Sequence, residues 1–325
     1  MNYRDKQIDH LIYKDLIDDW GNATTLPIAL REELKQARPL AINATLFDSK
    51  DHRTKKALIK FTDNNSVETV LMKYKGRNSV CVSSQIGCPM GCKFCKTGTM
   101  GFIRNLSSSE IIEQILYFAR LLKKENETID NIVFMGMGEP FLNYENVMIA
   151  IRILNDKDKL NIGARHISLS TCGIINGIEK FTEENLQVNL ALSLHAPNDT
   201  LRTEIMPINK KQPLANVLEA IRKYTQKTNR KVMFEYIMIK DVNDRPIQAL
   251  ELAELLKQNN LFMVNLIPYN PTGIYKPSTT EEIKRFQEIL LKKGIRATQR
   301  YSFGQDINAA CGQLANSSGN SHIQL

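Results

Sequence analysis

The sequence lacks several things that would mark common protein classes. No apolar run is long enough to cross a bilayer, and the start MNYRDKQIDH has no apolar h-region of a secretory signal. A cytoplasmic location is therefore expected. Histidine is scarce, and His10, His52, His166 and His322 fit no catalytic pattern, so a Ser/His/Asp triad is not supported. No G-x-x-x-x-G-K-[ST] phosphate loop occurs, and no internal repeat is visible.

What is present suits a large folded domain. The chain has 325 residues and is 42% hydrophobic, enough to bury a sizeable core with a small appendage. Lys and Arg exceed Asp and Glu by 43 to 35. That excess fits a polyanionic partner such as RNA, and equally a merely basic protein. Basic clusters lie at Lys50 to Lys56, Lys73 to Arg77, Lys210–Lys211 and Lys292–Lys293. The six cysteines are Cys81, Cys88, Cys92, Cys95, Cys172 and Cys311. In a long chain without an export signal they point to metal binding or thiol chemistry rather than disulfide staples.

Residues 1–40 read as helical, with Ile8, Leu11, Ile12, Leu16 and Ile17 at helical spacing and Leu26-Pro27 opening a second helix. Residues 57–62 and 67–74 alternate around Asn64-Asn65, which predicts a β-hairpin. From residue 79 short apolar runs alternate with amphipathic helices. The runs are Ser79–Ser83, Asn131–Met135, His166–Thr171, Val188–Leu194, Val232–Ile239 and Met263–Pro268, with a further strand near 296–301. Helices are expected at 108–123, 144–154, 175–182, 212–226, 246–258 and 280–293. This rhythm predicts an α/β fold, a partial (β/α)6 barrel preceded by a small helical module and a β-hairpin. The expected division is 1–76 for the N-terminal unit, 77–315 for the core and 316–325 for a frayed tail. The segments GCPMGCKFC, GMGEP, STCG, SLH and PYNP all follow strand ends, where β/α barrels build their active sites.

Cys88, Cys92 and Cys95 form C-x-x-x-C-x-x-C. Closely spaced thiolates suit an iron–sulfur cluster or zinc. Three ligands on a 4Fe–4S cluster leave one iron open to chelate a substrate. Gly87 and Gly91 would permit the tight backbone path, and Phe94 would shield the cluster. The alternatives are a zinc site completed by Cys81 or Cys172, or three reduced core cysteines. Taken alone, Cys81 reads as a small core residue, Glu68 as a solvated strand carboxylate, and the strand-end Ser, His and Asn residues as capping and packing groups.

C-x-x-x-C-x-x-C with an aromatic before the last Cys resembles the radical S-adenosylmethionine (SAM) superfamily. CVSSQIGCPMGCKFCKTGTMGFIRNL resembles the RlmN/Cfr family of radical SAM RNA methyltransferases. FMGMGEP, LSTCGI, SLHAPND, MPINKK, VNLIPYNP and FGQDINAACGQL resemble other motifs of that family in the same order, so the likeness spans Tyr3 to Leu314.

The resemblance implies a 4Fe–4S cluster on Cys88, Cys92 and Cys95, with SAM on the open iron. Gly138 and Glu139 match the family's SAM-contacting pair, and Ser170, Ser193, Leu194, His195 and Asn270 match other SAM contacts. Cys311 matches the methyl-carrying cysteine, a nucleophile that becomes joined to the RNA. Cys81 matches the resolving cysteine, which pairs with Cys311 in a disulfide as product leaves. Glu68 matches the proposed proton acceptor. Cys172 is given no role. The implied substrates are ribosomal RNA and transfer RNA, and the implied electron source is a low-potential donor such as flavodoxin or ferredoxin.

GFIRNL, GEP and HAPND resemble the branch that methylates adenine C2 in 23S ribosomal RNA and transfer RNA, with the Cfr-like C8 branch as the alternative. A radical SAM enzyme acting on a protein, or a non-catalytic metal-stabilised RNA-binding module, are readings of other classes. The sequence starts directly at YRDKQI, so the family's N-terminal RNA-binding domain is expected to be shortened.

Overall fold

A computed structural model describes residues 3–257 and 259–315. The expected tail at 316–325 and His322 lie outside these residues. Two helices come first, α1 (Tyr3–Tyr13) and α2 (Ile28–Ala37). Between them Trp20 is buried, and its Nε1 donates to the Arg38 carbonyl at 2.7 Å. Four antiparallel strands follow: β1 (Ala44–Asp48), β2 (Thr54–Lys60), β3 (Ser66–Tyr74) and β4 (Arg77–Cys81). The hairpin expected from alternation is β2–β3. Its neighbours β1 and β4 extend it on either side.

A ribbon of β5 (Gln85–Gly87) and β6 (Phe102–Asn105) then brackets the cysteine loop and the single turn α3 (Lys96–Thr99). The remaining elements alternate. They are α4 (Ser108–Lys124), β7 (Asn131–Phe134), α5 (Tyr144–Asn155), β8 (Ile167–Thr171), α6 (Ile175–Thr182) and β9 (Asn189–Ser193). After them come α7 (Asp199–Ile205), α8 (Leu214–Thr228), β10 (Val232–Met238), α9 (Pro246–Leu256), β11 (Phe262–Pro268), α10 (Thr280–Lys292) and β12 (Arg296–Gln299).

These strands form one ten-stranded sheet in the order β1-β2-β3-β4-β7-β8-β9-β10-β11-β12. Every pairing from β4 to β12 is parallel. This is the expected partial barrel, with β12 as its seventh parallel strand. Its helices bury one face each. In α4 the apolar stripe runs through Ile111, Ile115, Phe118 and Leu122, and a Ser107–Glu110 capping box starts the helix. Strands covered in this way are largely apolar, as β10 shows, with Glu235 its one charged residue.

The sheet ends at β1 and β12 rather than closing on itself. The C-terminal segment spans the gap. Lys50 N–H donates to Asp306 at 2.9 Å, and Ala315 N–H donates to Glu68 at 2.7 Å. The N-terminal helices are tied to the outside of the barrel. Arg120 of α4 donates to the carbonyls of Ile17 and Leu40, and Lys159 pairs with Asp9.

Arg202 holds two barrel strand ends together. It is fully buried and donates to the carbonyls of Leu194, Cys172 and Ser193, and to Asn209 Oδ1 at 2.7 Å. Burial pushes its pKa down, a pressure that these acceptors resist. Replacing Arg202 by Met strands four buried acceptors, so the variant should lose about 3–5 kcal/mol. Urea unfolding of Arg202→Met at wild-type stability would show that the cluster of acceptors is satisfied in another way.

Candidate active site

The cysteine loop is shaped by its backbone. Gly87 takes φ +73°, and a Cβ there would meet the Gly101 carbonyl oxygen at 2.0 Å. The close approach lets Cys88 N–H donate to that same carbonyl at 2.7 Å and turns the chain inward. Cys88, Cys92 and Cys95 all face one cavity. Burial raises all three thiols, Cys88 to about 12, and Cys88 and Cys95 each push Cys92 higher still. Three buried thiols that repel one another as thiolates call for a positively charged partner.

Among the described residues, no group of three or more His, Cys, Asp or Glu side chains is gathered to hold a single metal ion. A four-iron cluster makes a different demand, because each thiolate binds its own iron. The donor set of three thiols with no carboxylate or imidazole among them suits that cluster. Phe94 packs edge-on against His195 with ring centroids 4.7 Å apart, and so walls the cysteine loop on one side.

The barrel strands contribute in turn at their C-terminal ends. After β7, Gly138 adopts φ +100°, and a Cβ there would lie 2.5 Å from the Gln85 side chain. Glu139 follows, 3% exposed, with N–H donated to Gln85 Oε1. Its carboxylate accepts from Cys172 N–H at 2.8 Å and Phe141 N–H at 3.1 Å. Burial raises its pKa, and the backbone donors pull it back. Unused lone pairs remain for an ammonium group. Ser170 of β8 and Ser193 of β9 are 3.3 Å apart across the strands.

His195 takes a left-handed backbone, and its Nδ1 faces the Ile237 N–H at 3.1 Å. Nδ1 therefore accepts, which assigns the proton to Nε2. Burial lowers the His195 pKa to about 3, so the ring is a neutral donor at ordinary pH. Gly138, Glu139, Ser170, Ser193 and His195 all line the cavity of the three cysteines. A few convergent polar groups on apolar walls suit a charged, amphipathic ligand of SAM's kind.

Cys81 and Cys311 line the same cavity. Cys81 ends β4. Cys311 sits on the C-terminal segment, held over the cavity from several sides. Lys96 N–H donates to the Gly312 carbonyl at 2.7 Å, the Thr97 hydroxyl to the Leu314 carbonyl at 2.6 Å, and Asn270 Nδ2 to the Cys311 carbonyl at 3.0 Å. Burial pushes Cys81 up to about 12, Cys311 is exposed, and each thiolate is close enough to Arg300 to be favoured by it.

Two expected residues stand just behind the lining, and Asn270 acts on Cys311 through its carbonyl. Leu194 is buried, with its N–H donated to the Glu235 carbonyl. Glu68 is fully buried, not solvated as its strand position alone suggests. It lies on the same face of β3 as Val70, which lines the cavity. Its Oε1 accepts from Lys56 at 2.8 Å and its Oε2 from Ala315 N–H.

Sequence reasoning overlooked Lys56, Arg202, Glu235 and Arg300. Lys56 precedes the run read as a strand. Arg300 follows β12 and was detectable by the same strand-end rule as the other site residues. Arg300 is half-buried, its pKa raised by Glu235 and the two thiols against the pull of burial.

Residues 82–253 match the Radical SAM superfamily. A protein of Dictyoglomus thermophilum named as a probable dual-specificity RNA methyltransferase RlmN is 46% identical over 96% of this chain and 90% of its own length. The ribosomal RNA large subunit methyltransferase N of Nitrosopumilus maritimus is 44% identical over 96% of this chain and 92% of its own. The chain belongs to the RlmN family. The crystal structure of a radical SAM methyltransferase from Sphaerobacter thermophilus superposes with a TM-score of 0.94 at 44% identity, over 97% of this chain and 93% of that one. Membership of the RlmN family brings a 4Fe–4S cluster and SAM as cofactors. The three-thiol donor set and the polar groups of the cavity fit both.

The Lys56–Glu68 pair has no exposed side-chain surface on either partner. Removing one partner leaves the other charge uncompensated. Lys56→Met should cost about 3–5 kcal/mol, and a second change, Glu68→Leu, should return much of that loss. Equilibrium denaturation of the parent and the two variants checks this. Equal stability of Lys56→Met and the parent would mean that Glu68 does not depend on its partner.

Proposed function

We propose that this RlmN-family chain methylates C2 of an adenosine in 23S ribosomal RNA and in transfer RNA, through a methylated Cys311 and a transient Cys311–RNA bond. The observation that carries the reading is that two thiols distant in sequence, Cys81 and Cys311, share one cavity with the three-cysteine loop. A radical SAM enzyme with another task needs no such second pair.

When bound, the cluster and SAM supply a 5′-deoxyadenosyl radical able to abstract hydrogen. Cys88, Cys92 and Cys95 hold the cluster. Glu139, Ser170, Ser193 and His195 orient SAM, with His195 offering an Nε2–H donor, while Leu194 and Asn270 support from behind. Cys311 attacks the methyl group of a SAM substrate as thiolate; a carbon–sulfur bond forms as the methyl–sulfonium bond breaks, and S-adenosylhomocysteine leaves. It then carries that carbon to adenine C2. Glu68 accepts the proton leaving C2. Cys81 attacks the Cys311 sulfur as thiolate; the disulfide forms as the Cys311 sulfur–carbon bond breaks, and the carbon keeps that electron pair and takes up a proton to leave as the methyl group of the base.

Burial raises the Cys81 thiol, so its nucleophilic step needs proton removal. Arg300 is the nearby cation that favours each thiolate. On this reading residues 77–315 form the catalytic core, and residues 1–76 supply Glu68, its Lys56 partner and part of the RNA-facing surface. The electron comes from a low-potential donor such as flavodoxin or ferredoxin, and the setting is cytoplasmic. No helix among the described residues is long and apolar enough to cross a membrane.

Anaerobically reconstituted enzyme with SAM, reductant and RNA should yield 2-methyladenosine on nucleoside mass spectrometry. 8-Methyladenosine instead would assign the C8 branch, and no methylated adenosine would overturn the reading. Cys311→Ala should keep its iron and lose RNA methylation. Cys81→Ala should be trapped on its RNA as a denaturation-resistant adduct. Normal turnover by Cys81→Ala would leave that thiol as a packing residue.

A further inference from the structure

A file of rings and guanidinium groups runs outward from the cavity. Met72 and Arg300 are part of the cavity wall. Two residues beyond Met72 on β3 stands Tyr74, whose ring lies under Arg77 at 4.7 Å from its centroid. The Tyr74 hydroxyl and the Arg300 guanidinium also interact electrostatically. Phe303 meets Tyr74 edge-on with centroids 5.3 Å apart. Arg53 covers Phe303 at 4.8 Å. Tyr301, next to Arg300, is 75% exposed. Arg53, Tyr301 and Phe303 line an open surface groove.

We infer that Arg53, Tyr74, Arg77, Tyr301 and Phe303 form a stacking platform for the unpaired nucleotides that flank the methylated adenosine. The inference rests on the RNA-methylating function proposed above and names the surface that serves it.

An enzyme that acts on a base must take it out of the stack, which leaves the neighbours of that base without a partner on one side. Proteins that bind such nucleotides offer aromatic rings and guanidinium planes, to which any base can stack. Both groups are present here, within one residue of the cavity wall at Tyr301 and two at Tyr74. Arg53 pairs with Asp51 at 2.8 Å, and Asp306 accepts from the Lys50 backbone. A surface built to neutralise phosphates would leave its cations free. Phe303 lies under Arg53, whose charge is already paired, and Tyr301 stands in water, an arrangement that suits base faces better than phosphates. The exposed Lys50 and Lys75 on the rim remain to meet the backbone of the same strand.

The test uses the full-length protein and a fluorescent RNA hairpin with unpaired loop adenosines, followed by anisotropy. A fully paired duplex of the same length is the control. Each lost stack should weaken hairpin binding roughly 5- to 100-fold. Tyr301→Ala is the primary variant, because so exposed a ring contributes little to folding. Tyr301→Phe keeps the ring face and should bind like wild type. The double variant Tyr301→Ala, Phe303→Ala should lose more, with duplex binding changed less than twofold. Methyl loading of Cys311 without RNA should match wild type, since the platform stands outside the SAM site.

Hairpin binding by the double variant within twofold of wild type would overturn the inference. Equal losses for hairpin and duplex would overturn it too, by making the face a general electrostatic surface. Unchanged RNA binding with altered self-association on sedimentation would make it a protein interface instead. The functional reading fails separately, if wild-type enzyme produces no methylated adenosine.

Discussion

A lysine ammonium and a glutamate carboxylate meet out of contact with water at Lys56 and Glu68, on adjacent strands β2 and β3. Burying two charges is costly unless the remaining hydrogen-bonding capacity is filled. Glu68 uses its second oxygen for the Ala315 N–H. The pair is therefore completed only when the C-terminal segment lies across the cavity. That segment carries Cys311. The antiparallel strands at one end of the sheet thus determine where a thiol encoded at the far end of the chain comes to rest.

The same segment is fastened to the cysteine loop through Lys96 and Thr97, and to the end of β11 through Asn270. The three-cysteine loop, the polar strand ends, Cys81 and Cys311 consequently line one cavity. This suits chemistry in which a reactive carbon must be kept from water and from the wrong partner. It also explains why the sheet can stay open at β1 and β12. The gap that hydrogen bonds between strands do not close is spanned by the segment that carries Cys311.

Much of this was legible in the sequence, for specific reasons. Strand–helix alternation from residue 79 has a strong periodic signal, and the expected strands lie close to β4 and β7 to β12. The site residues Cys88, Glu139, Ser170, Ser193 and His195 stand where strand ends converge, which topology alone anticipates. Other features depend on contacts that no local pattern reveals. Glu68 reads singly as a solvated strand carboxylate and Lys56 as the end of a basic cluster before the strand, and only the β2–β3 register puts them on one face as diagonal neighbours. Arg202 lies in the short helix α7 that periodicity did not mark, and its importance comes from carbonyls on two other elements. The β5–β6 ribbon is made of three- and four-residue strands that carry no alternation. Tyr74 and Phe303 come together only because the C-terminal segment returns across the sheet.

The central claim is that Cys81 and Cys311 act as a pair within one cavity. Peptide mass spectrometry after a single turnover, with thiols capped before digestion, tests it most directly. The account predicts a Cys81–Cys311 disulfide that accumulates in step with 2-methyladenosine and stays absent when RNA is withheld. Stoichiometric product with both thiols still free would contradict it.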